Sequence, residues 1–262
     1  MIMMICACMA VVVGCSQEAL DNAGTADSSS PAGQLTISAA ASLTDALTEI
    51  QQSYEEQNEN ITIYLNFGGS GTLQRQIEQG APADLFLSAS PRNMQALVDQ
   101  QLIDTERERT LLTNELVVIV PQDDESAWEN IDALMREEIR HVAIGIPESV
   151  PAGHYAKEAL VHADLWDDLS AKMVQAQDVR QVLQYVETGN ADAGFVYRTD
   201  ARTSQQVKVA FTVDANTYTP VEYPVGILKS AANRQEAEDF YSYLQTEQAL
   251  DVFEKYGFAI PK

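Results

Sequence analysis

Leu35-Thr36-Ile37-Ser38-Ala39-Ala40-Ala41-Ser42-Leu43-Thr44-Asp45-Ala46-Leu47 changes its period halfway. Leu35 to Ala39 reads as a strand, and from about Leu43 to Gln57 the apolar spacing is that of an amphipathic helix. The same strand-to-helix step recurs downstream. Ile61 to Phe67 alternates as a strand does, with a helix from about Thr72 to Gln79, and Asp84 to Ser88 is a short strand ahead of a helix from about Pro91 to Gln100. Strands interleaved with helices at this spacing imply βαβ units and a parallel sheet.

Leu116 to Pro121 (LVVIVP) is a longer apolar run, long enough to cross between two lobes, and a second α/β set follows it. His141 to Ile146 reads as a strand, with a helix from about Gly153 to Ala163. Asp178 to Glu187 reads as a helix and Ala193 to Tyr197 as a strand. Near Glu222 to Ile227 the chain has a place to cross back. A helix at about Gln235 to Thr246 and the segment Ala249 to Tyr256 would then pack on the first lobe. The expected bounds are 34–118 with 222–262 for lobe 1, and 119–221 for lobe 2.

Four junctions share one chemical property: each puts backbone N–H groups at a helix start. They are Ala41-Ser42-Leu43-Thr44-Asp45, Gly68-Gly69-Ser70-Gly71-Thr72, Val150-Pro151-Ala152-Gly153 and Gln177-Asp178-Val179-Arg180. A helix start offers unpaired donors and roughly half a positive charge, so it holds an anion without a charged side chain. In open α/β sheets such junctions gather at the carboxyl ends of the strands. Each has a plainer reading as well. Ser42 with Asp45 fits a capping-box variant, Gly68 to Gly71 fits a simple turn, and Pro151 fits the first helical position.

The N-terminus sets the compartment. Residues 1–14 carry no charge and are apolar almost throughout, but about 20 such residues are needed to span a bilayer. The run fits the apolar core of a secretory signal. It ends in Val12-Val13-Gly14-Cys15, which resembles a bacterial lipobox with Cys15 as the acylated residue, although no Lys or Arg precedes the run. Residues 16–33 are small and polar with no hydrophobic period, and read as a flexible tether. The expectation is a signal at 1–15, a tether at 16–33, and a domain lipid-anchored to a bacterial membrane on its extracytoplasmic or periplasmic side.

Composition excludes several classes of function. All three cysteines, Cys6, Cys8 and Cys15, lie in the signal, so the mature domain has no disulfide, thiolate metal site or cysteine nucleophile. The net charge of −23 disfavours nucleic acid, which needs basic patches. It also obliges any anion site to draw its attraction from local dipoles. His141, His154 and His162 show no metal-ligand spacing, and Gly68-Gly69-Ser70-Gly71-Thr72 misses a G-x-S-x-G nucleophile elbow at its last position. The chain reads as a binding protein rather than an enzyme, with no cofactor; a hydrolase is the less favoured alternative.

From about Leu35 to its end the chain resembles the periplasmic molybdate-binding proteins of ABC transporters. The resemblance is carried by AAASLTDAL (39–47), FGGSGTLQRQIEQGAPADLFLSA (67–89), PESVPAGHYAKEAL (147–160), AQDVRQVLQYVE (176–187), GFVYRTDA (194–201), EYPVGIL (222–228) and FEKYGFAIP (253–261). It implies a two-lobed type II periplasmic-binding-protein fold. Each lobe would be a mixed, mostly parallel sheet flanked by helices, with two hinge crossovers between them. It also implies a monomer that hands molybdate, or the nearly isosteric tungstate, to a membrane permease. The oxyanion would be held by Ser42 and Ser70 from one lobe, and by the N–H groups of Ala152 and Val179 with the hydroxyl of Tyr197 from the other. Where the family often has further serines, Gly69 and Gly71 flank Ser70 here. A donor-only site suits a fully deprotonated dianion and disfavours hydrogen phosphate, whose proton wants an acceptor. Receptors for sulfate or a small organic anion remain the alternatives, since fold alone does not choose the ligand.

Overall fold

The computed structural model describes residues 33–231 and 234–261. The signal at 1–15, Cys15 and the tether up to residue 32 lie outside the described residues. Among the described residues ten strands form: β1 Gly33–Ala40, β2 Ile61–Gly68, β3 Leu85–Leu87, β4 Ile103–Asn114, β5 Leu116–Pro121, β6 Val142–Gly145, β7 Met173–Ala176, β8 Ala193–Tyr197, β9 Val207–Thr212 and β10 Val221–Leu228. The helices are α1 Thr44–Gln57, α2 Ser70–Glu78, α3 Pro91–Asp99, α4 Pro151–His162, α5 Trp166–Leu169, α6 Val179–Glu187, α7 Arg198–Arg202, α8 Arg234–Tyr243 and α9 Glu247–Lys255. A short 3-10 turn, Ala41–Leu43, joins β1 to α1.

The strands make two five-stranded sheets, in the orders β2-β1-β3-β10-β4 and β7-β6-β8-β5-β9. In each, the first three strands run parallel and the last two add antiparallel neighbours. This is the two-lobed, mixed-sheet fold expected. The central strands are apolar on both faces because helices cover both. Leu35, Ile37 and Ala39 of β1 and all of Leu116–Val120 of β5 are fully buried. Helix α6 shows how one face fixes an element, since Val179, Val182, Leu183 and Val186 fall at i, i+3, i+4 and i+7 and are its buried residues.

The chain crosses between sheets twice, at Glu115 between β4 and β5 and over residues 213–220 between β9 and β10. The first crossing falls earlier than residue 118, because β5 as a whole pairs with β8 and β9 in the second sheet. The apolar run is therefore a core strand and not the connection. The return strand β10 sits inside the first sheet, between β3 and β4. Its Pro224 has no N–H to give to the ladder, and the register with β4 shifts between Tyr223 and Pro224.

Candidate anion site between the lobes

The six parallel strands point their carboxyl ends at one place. Ala40, Ala41 and Ser42 follow β1, Gly68, Gly69 and Ser70 end or follow β2, and Ala89 follows β3. From the other sheet, Val150, Pro151 and Ala152 lie beyond β6, Val179 beyond β7, and Tyr197 ends β8. Together these residues line one small cavity of about 10 Å³, far below the roughly 300–1,000 Å³ of pockets for drug-sized ligands. The structure thus brings Ser42, Ser70, Ala152, Val179 and Tyr197 to one cavity. No charged side chain is among its lining residues.

The two serines are not helix caps. Neither the 3-10 turn nor α1 or α2 has a side-chain cap, so the capping-box reading of Ser42 with Asp45 does not hold. Ser70 Oγ instead accepts the Ala89 N–H at 3.0 Å. Ser42 Oγ lies 2.9 Å from the Tyr223 hydroxyl. In the second lobe the helix starts combine both readings. Pro151 does occupy the first turn of α4. Asp178 caps α6 by accepting the Gln181 N–H at 2.9 Å, which leaves the N–H of Val179 at the first helical position beyond any i−4 carbonyl.

Tyr197 is the most exceptional of the five. Its hydroxyl is buried and has no hydrogen-bond partner among the described residues. A buried phenol normally finds one, so an orphan facing a cavity points to a ligand. Burial pushes the Tyr197 pKa well above the ordinary tyrosine value, which keeps the hydroxyl protonated and able to donate.

The lobes meet tightly around the cavity. The Gly71 N–H donates to Ser149 O at 2.9 Å, and the Tyr155 hydroxyl donates to Ala89 O at 3.2 Å. A Cβ on Gly69 would stand 2.8 Å from Gln177 O and 2.9 Å from Ser149 O, closer than such contacts allow. Glycine here thus lets the backbones of the two lobes touch. At the rim, Arg180 of α6 reaches Asp45 of lobe 1 at 2.6 Å and the buried Asp200 at 2.9 Å. Burial raises the Asp200 pKa to about 6, with Arg180 pulling the other way.

The histidines lie outside the cavity lining. His154 projects from α4 toward Glu158, 3.3 Å away, and Arg92, 3.4 Å away, while His141 and His162 are exposed. Among the described residues no group of three His, Cys, Asp or Glu side chains is placed to hold a metal ion, and no helix is long and apolar enough to cross a membrane. Sequence reasoning missed Tyr223, Asn114 and the Arg180–Asp45 bridge. Tyr223 and Ser42 are 181 residues apart, and no local pattern links them.

Two similar lobes closed on a small neutral cavity at their strand ends define a solute-binding protein of the hinged, two-lobed class. Residues 35–259 match the model of the family described as bacterial extracellular solute-binding protein. The chain belongs to that family. It is 48% identical over 248 residues to the Bacillus subtilis "Putative ABC transporter substrate-binding lipoprotein YvgL", covering 95% of this chain and 93% of that one. It is 41% identical to the molybdate-binding protein ModA of Escherichia coli, over 87% and 90% of the two chains. Among solved structures, the Azotobacter vinelandii periplasmic molybdate-binding protein superposes with a TM-score of 0.78 at 25% identity, covering 87% of this chain and all of that one.

Proposed function

We propose that this chain is the extracytoplasmic solute-binding component of a molybdate ABC transporter, taking molybdate or tungstate between its lobes and presenting it to a membrane permease. The observation that carries this reading is the neutral cavity with an unpartnered, buried Tyr197 hydroxyl on its wall. Hydroxyls of Ser42, Ser70 and Tyr197 and the N–H groups of Ala152 and Val179 would each donate to one oxyanion. A dianion enclosed by neutral donors keeps its charge spread over several charge-assisted hydrogen bonds, each worth about 1.5–3 kcal/mol. Names of relatives that bind molybdate support the choice of ion.

Acylation of Cys15 would hold the receptor, as a monomer, beside its permease, with residues 16–33 as the tether. The name of the Bacillus subtilis relative, a lipoprotein, supports this anchor. Calorimetric titration of the purified protein with molybdate, tungstate, sulfate and phosphate tests the ligand. One-to-one binding of molybdate and tungstate, with sulfate and phosphate far weaker, is the expected result. Equal binding of sulfate would make it a general oxyanion receptor, and no binding by a folded sample would overturn the reading.

A further inference from the structure

Ser42 is a useful donor only if its own proton is free to face the cavity, and the groups behind it decide that. The Tyr223 hydroxyl has two partners among the described residues: Ser42 Oγ at 2.9 Å and Asn114 Nδ2 at 3.4 Å. The amide of Asn114 has a fixed orientation. Its Oδ1 accepts the Glu115 N–H at 2.9 Å, and its Nδ2 also donates to Thr199 Oγ1 at 2.9 Å. Nδ2 is therefore the edge turned to Tyr223, and an amide nitrogen only donates. The Tyr223 proton then has one acceptor left, Ser42 Oγ. With one of its two lone pairs taken by Tyr223, the Ser42 proton is turned away from Tyr223 and toward the cavity that Ser42 lines.

We infer that Asn114, Tyr223 and Ser42 form a one-way chain of hydrogen bonds that fixes Ser42 as a donor, making Tyr223 a positioning and specificity-determining residue for a fully deprotonated oxyanion. The inference rests on the oxyanion reading above and deepens it. A reversible serine accepts as readily as it donates, and would tolerate the proton of hydrogen phosphate. A serine whose proton is held toward the cavity by the Tyr223 bond would set that proton against the proton of hydrogen phosphate. Three features make the chain rigid. Tyr223 is 2% exposed, and its ring packs edge-on against Tyr197 at 5.8 Å and Phe258 at 5.3 Å. Tyr223 is held within β10, paired with Leu112 of β4 just before the register shift at Pro224. Asn114 ends β4 at the first crossover, so the chain starts at the link between the lobes. Burial keeps the Tyr223 phenol well above its ordinary pKa and hence protonated.

The test is a double-mutant cycle on the full chain, using Tyr223→Phe, Ser42→Ala and the pair, titrated with molybdate and, by competition, with phosphate. Phenylalanine keeps the ring packing and removes only the hydroxyl. We expect Tyr223→Phe to weaken molybdate about tenfold alone and by less than twofold when Ser42 is already alanine. We also expect phosphate to lose less than molybdate, since the Ser42 hydroxyl, freed to rotate, can turn its oxygen to accept that proton. Asn114→Ala, removing the first donor, gives the same pattern at a few-fold scale and serves if Tyr223→Phe fails to fold. Losses that add in the double mutant, or fall equally on both anions, overturn the relay and leave the oxyanion site standing. A folded wild type that binds no oxyanion overturns the site and the relay together.

Discussion

The two lobes repeat one strand order but supply their donors differently. Lobe 1 offers side chains: Ser42 and Ser70 line the cavity, and each hydroxyl oxygen also has a protein group beside it, Tyr223 and the Ala89 N–H. Lobe 2 offers the starts of α4 and α6 through Ala152 and Val179, whose side chains have nothing to donate, and adds the orphan hydroxyl of Tyr197. A hydroxyl can be deleted by truncation, but its deletion strands whatever supported it. A backbone donor survives every truncation and yields only to proline. The comparison therefore predicts opposite mutational signatures for the two halves of one site.

The largest effect on binding is expected from Val179→Pro. Proline removes the N–H and leaves no space for a water to replace it. The fold should accept it, because Val179 is the first residue of α6 and Asp178 before it is extended, with φ −155° and ψ 174°. Loss of a hydrogen bond to a charged ligand, about 1.5–3 kcal/mol, corresponds to roughly 10- to 150-fold in affinity. Calorimetry paired with a thermal melt checks it. Wild-type affinity in a folded variant would remove the Val179 N–H from the site and break the comparison on its lobe 2 side.

Ser70→Ala should weaken the anion within the same range but toward its lower end, since a water can enter the space of the lost oxygen. Its signature is a second loss. Ala89 N–H donates to Ser70 Oγ in a buried setting, and stranding it should lower unfolding stability by about 1–3 kcal/mol without any ligand. Stability unchanged in the apo variant would mean that the Ala89 N–H had found another acceptor. It would also mean that lobe 1 donors are less embedded than the contrast requires.

Asp200 sharpens the contrast from the side of charge. It is fully buried behind Tyr197, whose N–H it accepts at 3.1 Å, and its pKa in the folded protein is raised to about 6. The folded chain thus holds this proton more tightly than the unfolded one. The stabilisation is complete below the ordinary value of 3.8 and is lost as pH rises through about 6. The melting temperature of wild type minus that of Asp200→Asn should therefore fall between about pH 4 and pH 6 and level off above. A difference that rises over that window would show that the pairing with Arg180, and not burial, governs the group.

Much of this architecture was legible because apolar spacing is local. β1, β2 and β8, and the helices α1 and α2 that follow the first two, come from period and junction chemistry, within a few residues. β4 was not legible: IDTERERTLLTN is charged over much of its length, and it is a strand only because β10 lies against it. Nor was the position of the first crossover, since an apolar run such as LVVIV reads the same in either sheet. The four helix starts at the cavity, with Ser42 and Ser70 on two of them, were readable from the sequence, whereas Ala152, Val179 and Tyr197 were named as donors by the family resemblance. What no pattern announced was the polarity of the site, set by Tyr223 and Asn114 from distant strands.

The smallest effect on binding is expected from Val179→Ala, and it separates backbone from side chain most cleanly. The valine side chain is 4% exposed and belongs to the apolar face of α6. Removing two buried carbons should cost about 1.5 kcal/mol of stability, at roughly 0.8 kcal/mol each. The N–H stays where α6 begins, held by the Asp178 cap, so affinity should remain within about twofold of wild type. Val179 would then pair a near-silent alanine with a damaging proline, while Ser70 cannot be silent to alanine at all. A large loss of affinity in Val179→Ala would mean that the side chain shapes the cavity wall as much as the backbone does, and the division of labour between the lobes would fail at its simplest position.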